Sequence, residues 1–233
     1  MTSRPPEGIR SLSDPPPGAA RLVLVRHGQG NVNVSGRIGG IKGCTGLTPL
    51  GRDQVTALAD RLVSTGELND VSAIYASVLP RAIETAQILA PALGIAPEAI
   101  GTDCGLCELH PGDADDMIWE EYVAHFGAPD WDQDPTIAIA PNGESWVGFV
   151  DRASGALQRI AAQHGDERVL IATHAGVIES SVLQFLVDHA DPLLRPRLRL
   201  RTQHASMTEW EFSSEGWRLL RYNDASHEHG VFR

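Results

Sequence analysis

The run Leu22-Val23-Leu24-Val25 ends abruptly on Arg26-His27-Gly28-Gln29. Four consecutive apolar residues without polar alternation describe a strand covered on both faces, the signature of a parallel sheet between helix layers. Arg168 to Thr173 repeats the pattern, and it too stops at a histidine, His174. Val71 to Ala76 is a third such strand, and Ala99 to Thr102 a shorter one. Helices are expected between them. Thr48-Pro49 pairs a cap with a proline at the first helical position. Val55, Leu58, Ala59 and Leu62 then follow the spacing of a buried stripe. Pro80 opens a second helix, with Ile83, Ala86, Ala90 and Leu93 as its stripe. A long amphipathic helix follows Asn142-Gly143, marked by Trp146, Val150, Ala153, Leu157, Ile160 and Ala161, and Ala175 to Val187 reads as another. Ala205 to Phe212 and Trp217 to Arg221 close the chain as two strands around the Ser213 to Gly216 turn. The alternation predicts an α/β fold, a three-layer α/β/α sandwich with a mainly parallel central sheet.

Residues 113–141 break this rhythm. Trp119, Tyr122, Phe126 and Trp131 stand there among acids and prolines, which predicts a small helical lid insertion. Residues 1–20 hold Pro5, Pro6, Pro15, Pro16 and Pro17 and read as a flexible N-terminal extension to a single domain at 21–233. With 233 residues, 42% hydrophobic and 21% charged, the chain can bury a large core and is not disordered. Thirty acidic against 19 basic side chains leave a net charge of -11, which argues against nucleic acid and anionic membranes as partners. No apolar run reaches bilayer-spanning length. Three cysteines, Cys44, Cys104 and Cys107, make a disulfide framework a poor expectation and a reducing, cytoplasmic setting a good one.

In an open α/β sheet, ligands bind beyond the carboxyl ends of the strands. Three exits qualify: Arg26-His27-Gly28-Gln29, Ser77 through Arg81, and His174-Ala175-Gly176. Together they place two arginines and two histidines near helix N-termini, a cationic pocket within an acidic chain. Arg81 falls in the first turn of its helix, where the macrodipole disfavours a cation by about 0.3–1 kcal/mol. That position is accounted for if Arg81 and the helix N–H groups share an anion.

These residues resemble the signature of the histidine phosphatase superfamily, the phosphoglycerate mutase-like proteins, in its bacterial phosphatase branch. Leu24 to Gln29 with Asn33 is similar to the family's opening motif. Leu47-Thr48-Pro49-Leu50-Gly51 with Gln54, and Ser77 to Ala82 with Thr85-Ala86, follow in family order. So do Leu106 to Asp113, Asn142-Gly143-Glu144-Ser145 and Val169 to Gly176, and Asn223 to His227 resembles the closing NDxxH. The resemblance spans residues 21–227. It implies that His27 becomes phosphohistidine, that Arg26, Arg81 and His174 neutralise the phosphoryl group with Asn33 as a further contact, and that Glu108 is the acid/base. It implies no metal and no cofactor. The chemistry suits these types, because phosphoryl transfer needs in-line positioning and charge neutralisation more than covalent help. Gly39, Gly40 and Ala175 are expected phosphate or substrate contacts, and His110 and Glu144 are expected to flank the pocket.

The pattern departs from the family in two places. Gly30 stands where many members have Ser or Thr, and Lys42 to Gly46 replaces a more aromatic stretch. No long segment like that of the mutase branch separates Glu108 from His174, so hydrolysis of a small phosphate ester is the leading reading. A phosphoglycerate mutase and a catalytically weak phospho-ligand binding protein are the rivals, and a homodimer is left open. Cys104-Gly105-Leu106-Cys107 is formally a CxxC, but no helix N-terminus or second ligand pair accompanies it, so it reads as structural. His227-Glu228-His229 reads as a polar tail, His125, His164 and His189 as surface residues, and His204 as structural. The Arg195-Arg197-Arg199-Arg201 alternation reads as a solvated face.

Overall fold

A computed structural model describes residues 15–186 and 200–228. Its sheet is built from β1 (Ala20–Arg26), β2 (Val71–Ala76), β3 (Gly101–Thr102), β4 (Arg168–Thr173), β5 (Met207–Ser213) and β6 (Gly216–Asp224). The spatial order is β3-β2-β4-β1-β5-β6. β1, β2, β3 and β4 pair in parallel, whereas β5 runs antiparallel to both β1 and β6. The helices are α1 (Val32–Ser35), α2 (Pro49–Thr65), α3 (Pro80–Leu89), α4 (Trp119–Phe126), α5 (Trp146–Gln163) and α6 (Ala175–Leu186).

The unbroken apolar runs follow from two cores, one on each face of the sheet. Val23, Val25, Leu170 and Ala172 meet Val55, Leu58, Leu62, Ala86 and Leu89 from α2 and α3. Their neighbours Leu22, Leu24, Val169 and Ile171 point the other way, onto Phe149, Ala153 and Leu157 of α5 and Val177 and Ile178 of α6. Each fully buried aliphatic contributes about 1.5–3 kcal/mol, so a polar residue at any of these strand positions would be costly. The expected three layers are present, with the strand exits at one end of the sheet.

Several details differ from expectation. The third strand is only Gly101–Thr102, and Pro97–Ala99 turns as a 3-10 helix instead. The N–H groups of Ala99 and Ile100 turn back onto Ala96 O and Pro97 O, which takes both residues out of the ladder. β6 continues beyond Arg221 to Asp224. Ala19 and Ala20 are buried, so packing begins before Arg21. Residues 113–141 supply one short helix, α4, with a core of Ala114, Tyr122 and Ala140 backed by Ile38 and Met117. This segment is tied to the loop at 37–43: the Asp115 carboxylate accepts N–H bonds from Gly40 (2.9 Å), Lys42 (2.8 Å) and Gly43 (3.1 Å). No helix among the described residues is long and apolar enough to cross a membrane. Val187, His189, Arg195, Arg197, Arg199 and His229 lie outside the described residues, and Arg201 is exposed.

Candidate active site

His27 leaves β1 buried, with 3% of its surface exposed. Its N–H donates to Thr173 O at 2.9 Å, which joins the first strand exit to the one carrying His174. His27 Nδ1 lies 2.6 Å from Gly28 O. A carbonyl can only accept, so Nδ1 carries the proton and Nε2 keeps its lone pair. Arg81 Nε–H donates to that lone pair at 3.1 Å. Burial first, and then the Arg81 charge, hold His27 well below the ordinary histidine pKa, so the imidazole is neutral. The turn behind it depends on close packing. A Cβ on Gly28 would collide with Gly51 O, and one on Gly51 with Gln29 O. The start of α2 completes the cradle, since Thr48 Oγ1 accepts from Gly51 N–H at 3.0 Å and Gln54 Oε1 accepts from Gln29 N–H at 2.8 Å.

The cations converge with donors to spare. Arg81 is buried in the first turn of α3, and its Nη1 donates to Gly39 O at 3.0 Å. Arg26 Nη1 donates to Thr202 O, while its buried Nε has no hydrogen-bond partner among the described residues. His174 is fully buried; Nε2 lies 2.8 Å from Ser77 Oγ, and Nδ1 is without a partner among the described residues. Its ring centroid is 5.1 Å from that of His27. Burial, then Arg81, hold His174 well below the ordinary histidine pKa. Unpartnered buried polar atoms cost about 1–3 kcal/mol each, and an anion at this point would satisfy them. Asn33 Oδ1 accepts from Gly30 N–H at 2.8 Å, so an anion would meet its NH2 group. Ala175 opens α6 beside His174. Gly40 gives its N–H to Asp115.

Glu108 reaches the same end of the sheet. Its Oε2 accepts from Gly176 N–H at 3.1 Å and its Oε1 from Leu109 N–H at 3.2 Å. A Cβ on Gly176 would collide with this carboxylate, so any side chain there would push Glu108 out of its position. The segment bearing Glu108 is held from below by Arg152 of α5. Arg152 Nη1 donates to the carbonyls of Cys104 (3.2 Å), Gly105 (3.0 Å) and Cys107 (3.1 Å), and Nη2 to Glu108 O (3.3 Å). Glu144 receives the same guanidinium through two bonds of 2.6 and 2.7 Å and accepts His110 N–H at 2.8 Å. Burial alone would raise the Glu144 carboxyl, but the Arg152 bonds outweigh it and hold it below the usual carboxylate range. Both Glu144 oxygens are thus engaged within the protein. His110 Nε2 is 3.5 Å from Cys104 Sγ, and burial, then Arg152, lower its pKa.

Sequence reasoning missed Arg152, although it borders the buried stripe of α5 three residues after Phe149. It also gave no role to Ser77 or Thr202. His204, expected to be merely structural, sits with its ring 5.9 Å from His27, and burial, then Arg26, lower its pKa to about 4. His125 is exposed as expected. His164 lies at the surface but half-buried, bonding Tyr75 Oη at 3.0 Å and Glu167 at 2.7 Å. His227 is no free tail but half-buried in a 3-10 turn over the Arg61–Asp224 pair, which lowers its pKa to about 4 through burial and then Arg61.

Residues 22–225 match the family model of the histidine phosphatase superfamily (branch 1). Phosphoglycerate mutase-like protein 4 of Arabidopsis thaliana is 33% identical over 216 residues, covering 89% of this chain and 86% of that protein. The metal-independent phosphoserine phosphatase of the same plant is 32% identical over 216 residues, covering 88% and 82%. Among solved structures, the mycobacterial glucosyl-3-phosphoglycerate phosphatase superposes with a TM-score of 0.70 at 28% identity, over 88% of this chain and 99% of that one. These relatives accord with the expectation of a phosphoric monoester hydrolase. With the matched model spanning nearly the whole described fold and the motif residues gathered at one end of the sheet, the chain belongs to the histidine phosphatase superfamily.

Proposed function

We propose that the chain hydrolyses phosphomonoesters of small metabolites by two displacements at His27 Nε2, with no metal in the chemical step. The carrying observation is the locked tautomer: Nδ1–H is held on Gly28 O, and Nε2 faces Arg81 with its lone pair available. In the first displacement Nε2 attacks phosphorus, the ester P–O bond breaks, and protonated Glu108 gives its proton to the leaving oxygen. In the second, water attacks phosphorus, Glu108 takes the water proton, and the P–N bond breaks. Arg81 Nε–H must leave the histidine lone pair for a phosphoryl oxygen, so substrate binding itself frees the nucleophile. Arg26 and Arg81 neutralise the equatorial oxygens as charge builds, and neutral His174 and the Asn33 amide donate hydrogen bonds to them.

All these groups come from one chain, so the chemistry does not require a homodimer. The relatives named as phosphoserine and glucosyl-3-phosphoglycerate phosphatases support a small phosphorylated substrate. Residues 113–141 act in this reading as a lid anchored to the loop that offers Gly39 O to Arg81. The charge of -11 disfavours a nucleic-acid partner, and three free thiols suit a reducing compartment such as the cytoplasm. Rapid mixing with radiolabelled substrate and an alkaline quench is the test. An acid-labile, alkali-stable phosphoenzyme should form and vanish in His27→Ala, and turnover should survive EDTA dialysis. Label on another residue, or activity lost on chelation and restored by one cation, overturns the reading.

A further inference from the structure

Beneath the acid/base carboxylate lie three side chains that the reaction does not use. Cys104 Sγ and Cys107 Sγ are 3.8 Å apart, and His110 Nε2 is 3.5 Å from Cys104 Sγ. All three ligand atoms fall within 4.8 Å of one another. Both sulfurs are free thiols. A disulfide needs sulfurs about 2.05 Å apart, so this is a pair held in contact rather than a bond. These two separations match a different geometry, and the third is no longer than 4.8 Å. Tetrahedral zinc with Zn–S of about 2.3 Å and Zn–N of about 2.0–2.1 Å has edges of about 3.8 Å between sulfurs and about 3.6 Å between sulfur and nitrogen.

A second, independent feature is the orientation of the imidazole. His110 Nδ1 faces Glu144 Oε1 at 3.5 Å, and its backbone N–H is also bonded to Glu144. The backbone bond to Glu144 fixes the position of His110 with Nε2 on the side of Cys104 Sγ, and a carboxylate near Nδ1 is the kind of neighbour that metal-ligating histidines have. Arg152 fixes the turn that carries both cysteines through three of its carbonyls.

We propose that Cys104 Sγ, Cys107 Sγ and His110 Nε2 form a binding site for Zn²⁺ or a similar thiophilic divalent cation, whose occupancy suppresses turnover. Binding releases the two thiol protons, so two thiolates balance the charge of the metal. Cys104 is exposed and His110 is 36% exposed, which leaves the fourth tetrahedral position to a water on the solvent side.

The route to the active site is one hydroxyl long. Ser77 Oγ lies 3.3 Å from Cys107 Sγ and 2.8 Å from His174 Nε2, and it accepts Leu79 N–H at 3.1 Å. Its single proton can serve only one neighbour. A thiol is a weak acceptor, so with Cys107 a thiol the Ser77 proton that lies toward its sulfur is free to turn to His174 Nε2, leaving Nδ1–H to face a phosphoryl oxygen. With Cys107 a metal-bound thiolate, the proton turns to sulfur. Neutral His174 must then keep its own proton on Nε2 and present a bare Nδ1 to the phosphoryl group. This consequence rests on the phosphatase reading above; the metal site does not.

The closing experiment therefore separates the two. The reduced protein, with free thiols counted, is titrated with Co²⁺ and read by thiolate-to-cobalt charge-transfer absorption and tetrahedral d–d bands, followed by Zn²⁺ displacement. One equivalent should bind, and Cys104→Ser should weaken binding at least about tenfold. Absence of the bands with all thiols free, or equal binding by Cys104→Ser, overturns the site. Hydrolysis is then measured with buffered Zn²⁺ and with chelator. Wild type should lose at least about tenfold in kcat with Zn²⁺ while Cys104→Ser keeps its metal-free rate in both. Equal inhibition of both proteins would put the metal on the His27–His174 pocket and refute the coupling.

Discussion

Arg152→Met is the most informative single change outside the reacting residues, because it removes the support of Glu108 while leaving the chemistry intact. The side chain makes six hydrogen bonds: three through Nη1 to carbonyls, one from Nη2 to Glu108 O, and two to the Glu144 carboxylate. The Arg152 and Glu144 side chains are only 20% and 18% exposed. Removing one partner of a buried pair costs about 3–5 kcal/mol, and the remaining water access reduces that to about 2–4 kcal/mol. For a domain of this size, that is a fall in Tm of roughly 4–16 °C. Glu144→Gln removes the charge that the first substitution strands. The double variant should therefore lose less than the sum of the singles, with a coupling of about 1–2 kcal/mol. Displacing Glu108 by about 1 Å should lower kcat on alkyl phosphates by about 100-fold. Urea unfolding and single-turnover kinetics at a temperature where all variants are folded measure both effects. Strict additivity, or wild-type turnover of an alkyl phosphate by folded Arg152→Met, would refute the idea that this cradle positions the acid.

Glu108→Gln should lower single-turnover phosphorylation by an alkyl phosphate about 10²–10⁴-fold and spare that by p-nitrophenyl phosphate, whose leaving group needs no proton; equal loss with both would reduce Glu108 to a binding group. Folding stability should fall on acidification. His27, His174, His204 and His227 are held below their ordinary value of 6.5, so the unfolded chain binds more protons as pH drops below that value. The loss should run from about pH 6.5 to about 4 for His204 and His227, where their folded forms also protonate, and His204→Gln should flatten the slope of the urea midpoint in that window; an unchanged slope would contradict it. Incubation with 3-phosphoglycerate and a catalytic trace of 2,3-bisphosphoglycerate should give no 2-phosphoglycerate, and interconversion at rates matching or exceeding phosphate release would make the mutase reading correct.

The sheet was legible because burial on both faces leaves a local mark. Leu22 to Val25 and Val169 to Ala172 cannot alternate with polar residues when each successive side chain enters a different core. The start of α2 was legible for an equally local reason, since Thr48 caps its own helix through Gly51 N–H. The cationic end of the sheet was legible from residue types alone, since arginines and histidines gathered at three strand exits of an acidic chain suit an anion; the reading of that anion as phosphate came from the family resemblance. The short third strand was legible in place but not in extent, because its one-sided pairing with β2 leaves too little pattern to mark where it begins.

What the order of residues determined by itself, then, was the periodic framework and the chemical types gathered at one end of it. Only the tertiary structure decided how those types are held. Arg152 meets the carbonyls of residues 44 to 48 positions away, and Ser77 meets His174 across 97, so neither contact has a sequence spacing to betray it. The tautomer of His27 rests on a bend that brings Nδ1 onto Gly28 O, and the bend on α2 approaching closely enough to forbid a Cβ. Cys104-Gly105-Leu106-Cys107 read as structural because nothing in its spacing shows that His110, held through its backbone N–H by Glu144, brings Nε2 to Cys104 Sγ. Apolar periodicity records which face of an element is buried; hydrogen bonds between side chains record where the elements meet, and that is settled only when the chain has closed on itself.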